Sequence, residues 1–277
     1  MEKKFLLVSA FLVIIFLLFG SGGCEIPTAK FERTVQLSAP LSAGHSFKAE
    51  THNGAITVDG REEEGCEVTA VITGRAKSVE TAKDIADRTK VELKNSGNKI
   101  TVEITKPILG MYESVNVSLD VKLPSKTNIL LLGTHNGSVT VSNIQGKVDG
   151  TTHNGRVKAS EVSGEIKLKT HNGGVTCDGI SGNAWMRTHN GSIKTSYTAD
   201  APNVCEILLR THNGSIDLKT PPNISAAVDV STHNGSIKTD LPITVRGTVS
   251  KKRLQGKIGE GLGKLELSTH NGSIKIR

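Results

Sequence analysis

Histidine is the side chain in this sequence best suited to chemistry near neutral pH, and its placement is periodic. Eight of the nine histidines sit in one tetrapeptide, Thr-His-Asn-Gly, starting at Thr51, Thr134, Thr152, Thr170, Thr188, Thr211, Thr232 and Thr269. From Thr134 the tetrads are spaced by 18, 18, 18, 23, 21 and 37 residues. Imidazole binds protons and divalent metals, so His52, His135, His153, His171, His189, His212, His233 and His270 form the candidate constellation. Repeats of equal length stack, and stacked strands recur about every 4.8 Å. The spacing therefore predicts a column through His135, His153, His171 and His189, with His212, His233 and His270 extending it. Two rings on neighbouring turns can converge on one ion, which makes those first four the candidate metal ligands, although the tetrad offers no Asp, Glu or Cys as a third. The alternative is structural: Asn136, Asn154, Asn172 and Asn190, Gly137, Gly155, Gly173 and Gly191, and the threonines form ladders that hold each corner. Either way, protonation sets like charges side by side, so acid should destabilise the fold.

No second constellation points to catalysis. The only acidic run is Glu62 to Glu64, which reads as a solvated turn, and no Ser sits in a nucleophile elbow. The histidines are identical copies rather than one unique base. The expectation is a protein that is not an enzyme and holds no cofactor. Cys24, Cys66, Cys177 and Cys205 lack zinc-site spacing. Cys66, Cys177 and Cys205 read as buried thiols, with a Cys177–Cys205 bridge between neighbouring coils left open. Lys158, Lys194, Lys238 and Lys275 recur at one repeat position, and Lys169, Arg187 and Arg210 at another. Stacking would align each set into a column able to hold an anionic polymer or lipid, or simply to keep the surface soluble.

The elements that position these residues are short strands. Apolar residues alternate after each tetrad (Val139 and Val141, Val157 and Ala159, Val175 and Cys177, Ile216 and Leu218), and Gly146, Gly164 and Gly182 mark a second turn. Asn-Gly favours a tight corner. Equal spacing favours a coil over a series of hairpins. The predicted fold is all-β: a single-chain β-solenoid, parallel β-helix-like, of about 18-residue coils over 134–277. Residues 24–133 read as a β-rich region with one short α-helix over 79–90, capped by Ser78, with Val79, Ala82, Ile85 and Ala86 on one face. That helix is expected to cover one end of the stack.

Residues 1–23 are set apart as a signal peptide. Lys3 and Lys4 precede an apolar run from Phe5 to Phe19, and small residues lead to Cys24. This resembles a bacterial lipoprotein signal, which implies that Cys24 is lipidated and anchors the chain to a membrane. Removing Lys3, Lys4 and Glu2 leaves 32 basic against 26 acidic residues, a net charge of +6. An exported chain with only five aromatic residues beyond the apolar run has little use for nucleic acid; membrane, envelope polymer or another envelope protein are the reachable partners.

Residues 33–277 resemble the bacterial "putative adhesin" β-strand-repeat family. The resemblance is carried by Thr51-His52-Asn53-Gly54-Ala55-Ile56-Thr57-Val58-Asp59-Gly60, by the helix and strands through Val115 to Pro124, by Asn128 to Leu132, and by the tetrads from Thr134 on. It implies a β-solenoid-like fold, an envelope location and no enzymatic activity. The family varies the residue between Thr and Asn, whereas all eight tetrads here carry His. Three readings follow: an envelope-anchored adhesin or scaffold, a metal-binding or pH-responsive module built on the histidines, and a sensor of envelope state that binds a protein.

Overall fold

The computed structural model describes residues 29–245 and 250–277. Cys24 and the expected signal peptide lie outside the described residues.

The chain is mostly β-strand, with one helix, Val79–Arg88. Strands on either side of each tetrad build two parallel faces that meet at the tetrad corner. The strands following the tetrads are Ile56–Arg61, the front of Val139–Asn154, Val157–Ser163, Val175–Ser181, Ile193–Tyr197, Ile216–Lys219, Ile274–Ile276 and Ile237–Thr239, each paired in parallel with the next. The strands preceding them are Ser46–Asn53, Lys126–Asn136, the back of Val139–Asn154, Ile166–Lys169, Ala184–Arg187, Glu206–Asn213, Gly263–Asn271 and Ala226–Asn234, paired the same way. Val157 stands opposite Val139 and Val175, a step of one repeat in each direction. The sheet crosses residue 133 without a break, because the first tetrad joins the others: Thr51 lies opposite Thr134.

Alternation decides which side chains go inside. Val157, Ala159, Val162, Ile166, Leu168 and Thr170 of one coil are all buried, and so are their equivalents Val175, Cys177, Ile180, Ala184, Met186 and Thr188. Between the inward pairs the chain takes a left-handed step at equivalent positions: Asn143 (φ 59°), Glu161 (φ 50°) and Gly179 (φ 64°). Each step lets Ile144, Val162 or Ile180 turn inward before the second corner at Gly146, Gly164 and Gly182.

The stack does not follow chain order at its far end. The strand Glu206–Asn213 pairs with Gly263–Asn271, which pairs in turn with Ala226–Asn234. The last coil therefore sits between the two that precede it in sequence. The chain leaves a gap after Lys219, builds the coil of Thr232, adds Arg253–Ile258 antiparallel on its outer side, and returns to fill the gap.

Antiparallel structure is confined to the two ends. At the N-terminal end one face continues through Ser114–Pro124, Cys66–Ala76 and Ala29–Ala39, the other through Lys99–Thr105 and Lys90–Asn95. The helix packs on Ala29–Ala39 and Cys66–Ala76. Ser78 caps it by accepting from the Thr81 N–H, and Ala82, Ile85 and Ala86 are buried. The expected face differs at Val79, which is 39% exposed, and the helix stops at Arg88 because Lys90 is drawn into a strand opposite Thr105. Arg33 donates to the carbonyls of Ala86 and Thr89, placing a cation at the helix C-terminus, where the macrodipole favours one.

Candidate functional site

The tetrad corners form one continuous ladder. Each Asn side chain donates through Nδ2 to the Oδ1 of the next: Asn136 to Asn53, Asn154 to Asn136, Asn172 to Asn154 and Asn190 to Asn172, each at 2.8 Å. Asn213, Asn271 and Asn234 continue it. From Thr134 on, each Thr hydroxyl reaches across to the Gly carbonyl of a neighbouring corner, as in Thr152 to Gly137 (2.8 Å) and Thr170 to Gly155 (2.9 Å), while Thr51 donates to the Val117 carbonyl. At Gly155 glycine is required by approach rather than by dihedral angle: a Cβ there would stand 1.9 Å from the Gly137 carbonyl oxygen.

Eight imidazoles stack outside this ladder, in the order His52, His135, His153, His171, His189, His212, His270, His233. Centroids are 4.6 Å apart at the closest, His233 to His270, and 5.0 Å at the widest, His52 to His135. Adjacent planes are nearly parallel, reaching 21° only between His171 and His189. All eight rings are exposed. The histidine spacing is thus inherited from the strand spacing. His189 is held below the ordinary imidazole range, first by partial desolvation and then by His212, His171 and Arg187. Among the described residues no group of three His, Cys, Asp or Glu comes together to hold a metal ion.

The thiols are buried and free at Cys66, Cys177 and Cys205. The bridge left open between Cys177 and Cys205 does not form: Cys177 lies on a strand following a tetrad and Cys205 leads into a strand of the other face. Burial pushes the Cys66 thiol up to about 12 and that of Cys205 to about 11, and it raises Cys177 as well, so none is a ready thiolate.

The two basic columns fare differently. The first is interrupted, running Thr140, Lys158, Thr176, Lys194, Asp217, Lys275 and Lys238 across the strands. Its Asp217 is tied to Arg277 at 2.7 Å. The second is continuous through Lys169, Arg187 and Arg210 on adjacent strands. Beside it run Lys167, Trp185 and Leu208. Together these six residues line a shallow groove with Met186 and Leu168 at its floor. Trp185 and Leu208 occupy outward positions, between inward Ala184 and Met186 and between inward Ile207 and Leu209. Sequence reasoning missed them; the signal was an apolar residue out of phase with its strand.

In comparison with known proteins, the family described as Toastrack DUF4097 matches residues 25–277. Among solved structures, a "putative cell adhesion protein" from Clostridium sporogenes is 11% identical, with a TM-score of 0.41 over 87% of this chain and 97% of its own. A "putative adhesin" from Bacteroides fragilis is 12% identical, with a TM-score of 0.35 over 88% of this chain and 97% of its own. These values are too low for either match to bear on what this chain binds. No curated protein matches the chain. A corner ladder that repeats through the stack, and a family match that spans it from end to end, together place this chain in the toastrack family.

Proposed function

We propose that this chain is a non-enzymatic envelope protein, a β-solenoid of roughly 18-residue coils held to a membrane by a lipid on Cys24, and that it serves as an adhesin or scaffold. The observation that carries this reading is the outward face built by Ile166–Lys169, Ala184–Arg187 and Glu206–Asn213. There Trp185 and Leu208 form an apolar strip flanked by Lys167, Lys169, Arg187 and Arg210. A rigid, flat, cationic strip with one indole suits an extended anionic polymer of the envelope better than a small substrate. Sugar faces pack on the indole, and acidic groups meet the guanidinium and ammonium groups. Arg210 is paired with Glu266 and Lys167 with Asp149, which leaves Lys169 and Arg187 as the cations to test. Purified protein mixed with anionic wall polymer or acidic polysaccharide should be retained, and Trp185→Ala with Arg187→Glu should abolish retention. Equal retention of parent and variant would overturn this reading of the face. Deletion of the gene, followed by adhesion and envelope-stress assays, tests the wider role.

A second reading is favoured by the unbroken imidazole stack. Eight exposed rings stand in one column, and within it His189 is held below the ordinary imidazole range by desolvation and by its neighbours. On this reading the histidines make the rod responsive to acidification or to a divalent metal bound between adjacent rings such as His135 and His153, or His171 and His189.

A further inference from the structure

The loop 106–113, between the strands Lys99–Thr105 and Ser114–Pro124, presents large apolar side chains to solvent. Ile108 is 97% exposed, Met111 81% and Tyr112 52%. Leu109 alone turns back to pack on the core.

The tip is constructed rather than slack. The Glu113 N–H donates to the Gly110 carbonyl, and the Glu113 carboxylate accepts from the Gly110 N–H at 2.7 Å. This closes a four-residue turn with Met111 and Tyr112 at its centre. Tyr112 has φ 68°, in a turn position where glycine or asparagine is the relaxed choice. A tyrosine there costs stability, and such a cost persists where the side chain is used. Lys77 lies over its ring, 4.9 Å from the centroid.

The position of the loop names its occupant. Ser114, where the loop ends, stands opposite Arg75, and Arg75 stands opposite Lys30 on the next strand. The described chain begins at Ala29, opposite Ala76. Cys24 precedes Ala29 by five residues, a reach of at most about 18 Å when extended. The first described residues and the apolar loop therefore share one end of the sheet. Lys30, Arg75, Lys77 and Lys106 accompany them, while Glu32 is engaged by Lys30 and Glu113 by the Gly110 amide.

We propose that the loop 106–113 enters the interfacial layer of the lipid bilayer to which Cys24 is anchored. Ile108, Met111 and Tyr112 sit at the level of the acyl-chain boundary, and the lysines and arginine around them meet anionic headgroups. One lipid leaves a protein free to swing, whereas a second contact beside it fixes direction. The loop thereby fixes the orientation of this end of the sheet against the membrane. The inference rests on the lipid-anchor reading, and the test separates the two.

The test uses the full lipidated protein reconstituted in phosphatidylethanolamine–phosphatidylglycerol vesicles with brominated acyl chains. Trp185, the only tryptophan, is replaced by Phe, and a new one is placed either at the loop (Met111→Trp) or at the far end (Lys238→Trp). By strand spacing the two sites are about 40 Å apart. Emission at position 111 should be blue-shifted and quenched severalfold more than at position 238. Equal weak quenching at both sites, with the protein still on the vesicles, would overturn the loop proposal while leaving the anchor standing. Exchanging Cys24→Ser into the Met111→Trp protein tests the anchor: retained quenching with unchanged vesicle binding would remove the anchor reading and leave the loop as the contact. Thermal melts matching the parent confirm that each variant is folded.

Discussion

Glu161 carries the strain of the repeat at the scale of one residue. Its φ of 50° matches Asn143 at 59° and Gly179 at 64° in the neighbouring coils, residues that tolerate the left-handed region, whereas Glu does not. Glu161→Asn should therefore stabilise the protein by about 0.5–1 kcal/mol, read as a rise in the midpoint of chemical denaturation. A midpoint that falls would show that the Glu161 carboxylate, which lies against Gly179, contributes more than the backbone loses. The corner glycines have no such freedom. Gly155→Ala would drive a methyl group into the Gly137 carbonyl 1.9 Å away. It should cost about 3 kcal/mol or more, because the backbone of two coils must part.

At the scale of elements, each coil is marginal alone and stable through its neighbours. Val157 is fully buried between Val139 and Val175. Val157→Asp would place an unpaired charge in that narrow core and should cost about 4 kcal/mol or more. Hydrogen exchange should show faster opening in the coils of Thr134 and Thr170 as well as in its own. Protection lost only around residue 157 would mean the coils open independently. The imidazole column is coupled in the same way. At His189 partial desolvation, the stacked rings of His212 and His171, and the Arg187 guanidinium all disfavour the charged form. For His189 the folded state holds its proton less tightly than the unfolded chain. The unfolded state therefore binds more protons as pH falls below the ordinary imidazole value of about 6.5, and stability declines through that window. The melting temperature should be lower at pH 5 than at pH 7.5, and His189→Asn should narrow the difference. Equal melting temperatures of the parent at both values would remove the coupled column. A melt raised by Zn²⁺ would favour metal between adjacent rings, and one left unchanged would count against it.

On the scale of the whole molecule, the stack is a rod with different ends. The N-terminal end is closed by the helix and the antiparallel strands, the other by Arg253–Ile258. Among the described residues no helix is long and apolar enough to cross a membrane. On the anchor reading Cys24→Ser should move the protein from the membrane fraction to the soluble one. A Ser variant that resists a carbonate wash would reject the lipid anchor, and the loop at 106–113 would then be the first segment to examine.

The sequence by itself determined the repeat unit and its corner. Thr, Asn and Gly recur at one spacing, and each has a single use there: the hydroxyl crosses to a carbonyl, the amide joins an amide ladder, and the missing Cβ admits the neighbouring backbone. These are contacts between copies of the same residue, so periodicity alone reveals them. The inward set was legible for the same reason, since period-2 alternation is a local property. The order of the last coils was not. Identical corners make every coil edge compatible with every other, so nothing local to His233 or His270 says that His270 packs on His212. The order was set by the chain's excursion through Arg253–Ile258 and its return into the gap, a contact between distant segments. Trp185 beside Lys169 and Arg187, and Tyr112 under Lys77 at the end of the sheet where the described residues begin, likewise depend on which strands become neighbours. Only the tertiary structure decided those neighbours, because parallel pairing is set by the backbone and by loop closure rather than by matching side chains.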